Sequence, residues 1–209
     1  MADLILYGAP LSNFVRTARI ACHEKGVDYD LESDIELGGD EHRARHPFGL
    51  IPAMRHGDVR LFETLAIATY VDRAFDGPAL VPADALGAAR TMQWVSAFND
   101  FVVRHLGRAV IFERLAKPHF GMETDEARIA AAMPQVERIM DVYADTLADA
   151  PYFGGDAATL ADFFIIAQMF YAAICPETEQ MIAGKPAITA WMDRMNERDS
   201  VQATVPDFG

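Results

Sequence analysis

The sequence predicts two folding units of different class: a small α/β domain at residues 1–76 and an all-α helical bundle at residues 86–209, joined by a linker at 77–85. Three observations carry this reading. Within the first 75 residues, short β-like runs alternate with helical patterns in the order β-α-β-α-β-β-α. Beyond Pro82 no convincing strand remains. Between them, Ile51-Pro52 stands just before the apolar run Ala53–Met54. Proline cannot donate to a strand ladder, so it belongs at a strand's first residue or at an edge.

Taken in order, Leu4–Tyr7 is a compact apolar run closed by Gly8-Ala9-Pro10, a buried strand and its turn. From Asn13 to Lys25, Phe14, Ala18, Ala21 and Cys22 recur at helical spacing, and Gly26 is suited to the residue just past a helix. Tyr29–Ser33 reads as a second strand, and residues 36–46 as a short helix or loop stopped before Pro47. Ala53–Arg55 and Arg60–Phe62 flank the hairpin turn His56-Gly57-Asp58. Ala66, Ile67, Tyr70, Val71 and Phe75 then mark a helix closed by Gly77-Pro78. Strand, helix, strand favours a parallel crossover, and the hairpin supplies an antiparallel edge.

The second half is helical throughout. Leu86–Leu115 carries Trp94, Phe98, Phe101, Val102, His105 and Phe112 at recurrent spacing. Thr124–Leu147 is a second long helix that tolerates Pro134 as a kink or a break. Leu160–Tyr171 is apolar almost all round, as the central helix of a bundle should be. Pro186–Arg198 completes the set.

With 209 residues, 51% of them hydrophobic and 23% charged, the composition suits an ordered protein of one or two domains. The formal net charge of −13 opposes nucleic acid and anionic lipid, which attract clustered Lys and Arg. Residues 1–75 carry −4 of it and the rest −9, so the first third is the better place to hold an anion. No apolar run approaches the roughly 18–20 residues of a membrane span, and the start MADLILYG lacks a basic leader. Cys22 and Cys175 lie far apart, outside any CxxC pattern. Together these features predict a reduced, cytoplasmic protein without a disulfide framework.

A cis Ile51-Pro52 bond is expected to turn the Ile51 amide and carbonyl outward, where an extended peptide could pair with them. Glu63-Thr64 places a hydroxyl and backbone amides at a helix N-terminus, a site for a carboxylate. Together they describe a pocket for a small anionic peptide. Ser12, between the first strand and first helix, is either a helix cap or a hydroxyl presented beside that pocket. Thr159-x-x-Asp162, ahead of an apolar helix, reads as a capping box. His42 and His46 are four apart, but Pro47 ends their helix and no further ligands converge, so no metal is expected.

Four segments in this order resemble the cytosolic glutathione transferases of the serine type (phi, theta and related bacterial classes), over nearly the whole chain. They are residues 6–12 (Leu-Tyr-Gly-Ala-Pro-Leu-Ser), His46-Pro47-Phe48-Gly49-Leu50-Ile51-Pro52, Phe62-Glu63-Thr64, and Gly154-Gly155-Asp156 with Thr159-Leu160-Ala161-Asp162. The resemblance implies a thioredoxin-like N-terminal domain that binds glutathione as co-substrate and an α-helical C-terminal domain that binds a small hydrophobic electrophile. It implies Ser12 as the catalytic hydroxyl, with Tyr7, the activator in other branches, packed in its strand. Ile51 and Pro52 would meet the cysteinyl part, Glu63 and Thr64 the γ-glutamyl end, and His42 or Arg43 the glycyl carboxylate. Leu50 replaces a polar residue common in the family. No cysteine lies in the Pro10–Phe14 region, which argues against thiol-disulfide exchange.

The electrophile pocket is expected from the Ala9–Ser12 loop, the Leu86–Leu115 helix and the tail around Phe208. A homodimer is expected through Phe48, with no nucleic acid and no membrane as partner. The competing function class is a non-catalytic binding or regulatory protein built on the same fold.

Overall fold

In the computed structural model of the chain, which describes residues 2–208, a four-stranded sheet organises the first unit. The apolar run Leu4–Tyr7 becomes β1, with Leu4, Leu6 and Tyr7 buried. It pairs in parallel with β2 (Tyr29–Glu32) and antiparallel with β3 (Ala53–His56), which turns back into β4 (Val59–Phe62). The order is β2-β1-β3-β4, so the most apolar strand is interior and β2, which alternates half-buried and exposed, lies at an edge. The parallel pair needs a crossover, and α1 (Asn13–Glu24) provides it.

The buried stripe of α1 is Val15, Ala18, Ile20, Ala21 and Cys22; Phe14, assigned to that stripe from sequence, is only half-buried. Past the helix, Gly26 takes φ 63°, as expected of a residue in that place. The polar stretch after β2 contains the short α2 (Asp40–Arg45). After β4, α3 (Thr64–Ala74) packs on α1 through Ile67, Ala68 and Val71.

The segment read as a linker is fastened down. Lys25, almost fully buried, donates from Nζ to the carbonyls of Pro78 (3.1 Å) and Gly77 (3.4 Å) and faces Asp72 at 3.7 Å. Asp72 in turn accepts the Leu80 amide at 2.7 Å, and Leu80 and Val81 are buried. Charged groups at this depth persist only when paired.

The chain divides into two units, one of residues up to Ala83 together with those from Asn196 on, the other Asp84–Met195. The sequence reading counts the tail with the helical domain; here it joins the first unit. Arg16, 1% exposed, donates to Val201 O (3.2 Å) and Thr204 Oγ1 (3.5 Å), and Arg198 donates to Glu24 at 2.8 Å. Arg16 is therefore a fastener for the tail.

In the second unit, α4 (Ala85–Ala97) runs on as a π-helical segment, Phe98–Ala116, and then the short α5 (Lys117–His119). α6 (Glu126–Asp149) passes through Pro134 without a break. The almost wholly buried α7 (Leu160–Ala172) packs against α4 and the π-helical segment, followed by α8 (Pro176–Ala183) and α9 (Pro186–Asn196). The first unit's tail ends with α10 (Asp199–Gln202). No single helix among the described residues is long and apolar enough to cross a membrane.

Candidate active site

Strand register decides which residues meet. Tyr7, the last residue of β1, pairs with Ala53, the first of β3, and Ala53 pairs with Phe62, the last of β4. The Gly8–Ser12 loop, Ile51-Pro52 and Glu63-Thr64 therefore leave the sheet at one end. Gly8 packs the loop closely: a Cβ there would lie 2.4 Å from Val15 Cγ2 and 3.3 Å from Ile51 Cβ. The Ile51-Pro52 bond is cis, as expected, with Pro52 buried and Ile51 half-exposed.

Ser12 is the N-cap of α1. Its Oγ accepts the Val15 amide at 3.3 Å, while its own amide donates to Ala9 O at 3.0 Å. Capping uses an oxygen lone pair and leaves the O–H as a donor, so the two readings of Ser12 are compatible. Thr64 is buried and donates from Oγ1 to Phe14 O at 3.3 Å, tying the start of α3 to the first turn of α1. Two helix N-termini, each with amides lacking intrahelical partners, are thereby brought together at one edge.

Glu63 caps α3 with φ 71°, the left-handed region that non-glycine residues seldom occupy. Its side chain is 61% exposed, and its carboxylate lies 3.9 Å from His46 Nε2. Nothing in the sequence signals this backbone state, because glutamate is not a residue that favours it.

The two candidates for a glycyl carboxylate separate clearly. His42 is 2% exposed and bonds Leu50 O through Nε2 at 2.8 Å, so it supports the loop ahead of Ile51 and presents no donor to solvent. Arg43 is exposed and donates from Nε to Gly38 O at 2.6 Å, holding its guanidinium over the 36–39 loop. Tyr7 is buried with the Arg45 guanidinium 4.3 Å above its ring, a packing role. Sequence reasoning weighed His46 only as half of a metal pair with His42; it is 1% exposed, with the rings of Phe62 and Phe48 at centroid distances of 4.9 and 6.2 Å.

A cleft of about 520 Å³ opens at the opposite end of the sheet, lined by Asp3, Lys25, Asp28, His56 and Asp76 among others. Its one buried cation, Lys25, is already committed to Asp72, Gly77 and Pro78, so the convergence of donors lies at the Ser12 end instead.

Residues 6–79 match the sequence model described as Glutathione S-transferase, N-terminal domain, and residues 91–199 the one described as Glutathione S-transferase, C-terminal domain. The chain is 33% identical to Glutathione S-transferase 3 of Zea mays over 98% of its own length and 94% of that protein's. Among solved structures it is similar to maize glutathione S-transferase I in complex with an atrazine glutathione conjugate (28% identity, 96% and 95% of the two chains, TM-score 0.87). It is also similar to the theta class glutathione S-transferase of the citrus canker pathogen Xanthomonas axonopodis pv. citri with glutathione bound (26% identity, 99% of each chain, TM-score 0.84).

Proposed function

Because the chain belongs to the glutathione S-transferase family and is a transferase of that kind, we propose that Ser12 activates the glutathione thiol at the end of the sheet described above. The observation that carries this reading is the Ser12 hydroxyl, engaged as a cap only through a lone pair, beside the joined starts of α1 and α3. A free thiol has a pKa of about 8.5, so only a few per cent is thiolate at neutral pH. A hydroxyl donating to the sulfur favours the anion, and a fall of two pKa units corresponds to about 2.7 kcal/mol. The thiol proton leaves to solvent, the sulfur forms a bond to the electrophilic carbon, and the leaving group departs with the electron pair of the bond that breaks.

The peptide is held residue by residue. Ile51 pairs with the cysteinyl main chain, with Pro52 setting its position. Glu63 takes the γ-glutamyl ammonium. The γ-glutamyl carboxylate is taken by the Thr64 amide and hydroxyl; the 3.3 Å bond to Phe14 is long, and a charged acceptor binds more strongly than a carbonyl. Arg43, rather than His42, takes the glycyl carboxylate. The second domain supplies the apolar surface for the electrophile, with Phe101 and Phe112 already part-exposed on its π-helical segment. Phe48, 73% exposed, is the anchor of a homodimer. Two buried, unpaired cysteines fit a cytoplasmic setting.

Replacing Ser12 with Ala tests the assignment. Turnover with an activated aryl halide should fall about 10–1000-fold while affinity for S-hexylglutathione stays within a few-fold, and the bound-thiol pKa should rise. Wild-type turnover in that variant would leave Ser12 as a cap only.

A further inference from the structure

Two buried histidines, His42 on α2 and His46 just past its end, sit behind the peptide site, and each lies against a different part of it. His42 bonds Leu50 O, the carbonyl just ahead of Ile51. His46 lies 3.9 Å from the carboxylate of Glu63. The rings are 6.4 Å apart, and the Nδ1 atom of each is buried with no hydrogen-bond partner among the described residues. Since a carbonyl only accepts, the Nε2 of His42 is the donor in that bond.

We propose that His46 is a positioning residue for Glu63: neutral, it leaves the carboxylate to the ammonium of the bound peptide, and protonated, it competes with that ammonium for the same carboxylate. The inference rests on the reading of Glu63 given above. Glu63 stands in a left-handed conformation, so its carboxylate has a restricted approach, with His46 on the inner side and solvent on the other. The titratable groups that face His46 are Glu63, from the turn before α3, and His42, from α2. The neighbouring cations are directed elsewhere, Arg43 to Gly38 and Arg45 to the Tyr7 ring.

Geometry fixes the direction of the effect. Burial holds the imidazole below its ordinary pKa of 6.5, with Glu63 opposing that fall and His42 adding to it. An ammonium docked on Glu63 offsets the support that this carboxylate gives the imidazolium, so peptide binding lowers the pKa of His46 further. Binding therefore releases protons below about pH 6.5, and affinity falls as the solution is acidified. The peptide carboxylates keep their charge down to about pH 5.5, so they do not titrate over the range tested.

S-methylglutathione is the appropriate probe, because it has no thiol to titrate. Calorimetry on the full chain at pH 7.5 and 5.5, in two buffers of different ionisation enthalpy, gives affinity and proton count together. We expect wild-type affinity to drop about fivefold over that range with proton release at the lower pH. In His46→Asn the drop should shrink to less than about twofold, and proton release should fade with it. A full drop retained in His46→Asn overturns the proposal, as does a wild type that binds equally well at both pH values without proton release, a result independent of how the variant folds. No binding at pH 7.5 would overturn the peptide-site reading itself, a separate outcome.

Discussion

Asp162 in the second unit and Glu63 in the first are both carboxylates in the opening turn of a helix, and the chain uses them in opposite ways. Asp162 is fully buried and accepts four hydrogen bonds: from the amides of Phe153 (3.0 Å) and Thr159 (2.9 Å), from Thr159 Oγ1 (3.3 Å) and from Trp191 Nε1 (3.0 Å). Burial pushes its carboxyl up from the ordinary aspartate value, and the four donors pull it back. Glu63 has the buried His46 ring 3.9 Å away and keeps an exposed carboxylate on a backbone of unfavourable conformation. A helix N-terminus attracts negative charge in either case. What separates Asp162 from the binding carboxylate proposed at Glu63 is whether the protein itself already supplies its donors.

The largest effect should come from Asp162→Ala. Four donors would lose their acceptor, among them the indole of the fully buried Trp191, which packs against Phe153 at 5.2 Å between centroids. Stability should drop by about 4 kcal/mol, since buried donors left unsatisfied each cost roughly 1–3 kcal/mol and their effects overlap. Urea unfolding measures the loss, and glutathione affinity of the folded fraction should not change. An affinity loss as large as the stability loss would erase the contrast with Glu63.

Asp72 shows that the distinction follows access to solvent and not domain. It belongs to the first unit, as Glu63 does, yet its carboxylate is buried between Lys25 and the Leu80 amide. Asp72→Ala should cost about 3 kcal/mol, because Lys25 remains buried without its counter-charge. Adding Lys25→Met should restore much of that loss, a coupling that a double-mutant cycle reads directly.

The sequence displayed much of this arrangement, and for physical reasons. The capping box at Thr159 and Asp162 has a fixed spacing, and α7 has an apolar pattern that only a buried helix fits. The order of strands and helices in the first unit, and Gly26 past α1, followed from turn chemistry and periodicity. By contrast, α8 escaped detection because only Thr178 and Ile182 of its eight residues are buried, too few to print a stripe. The return of the tail depends on Arg16, whose partners lie more than 180 residues away; no local pattern reveals such a bond. At the site, spacing and motif pointed to Ser12, Ile51, Pro52, Glu63 and Thr64. The sequence left His42 and Arg43 unresolved because both lie on one turn of α2, and burial alone distinguishes them.

The smallest effect on stability, and the most discriminating, should come from Glu63→Gly. At φ 71° a side chain is held in a region that costs an L-residue roughly 1–2 kcal/mol, and glycine enters it freely. Part of that gain is lost to the greater freedom of glycine in the unfolded chain, so the net rise should be about 0.5–1 kcal/mol. The same change removes the carboxylate proposed to hold the γ-glutamyl ammonium, and S-methylglutathione affinity should weaken by about 1–3 kcal/mol. Opposite signs in the two measurements are what a binding residue kept at a conformational cost must give, since stability and affinity respond to different parts of the same residue. A variant that loses stability and keeps its affinity would place Glu63 with Asp162 and Asp72, as a carboxylate the fold needs for itself.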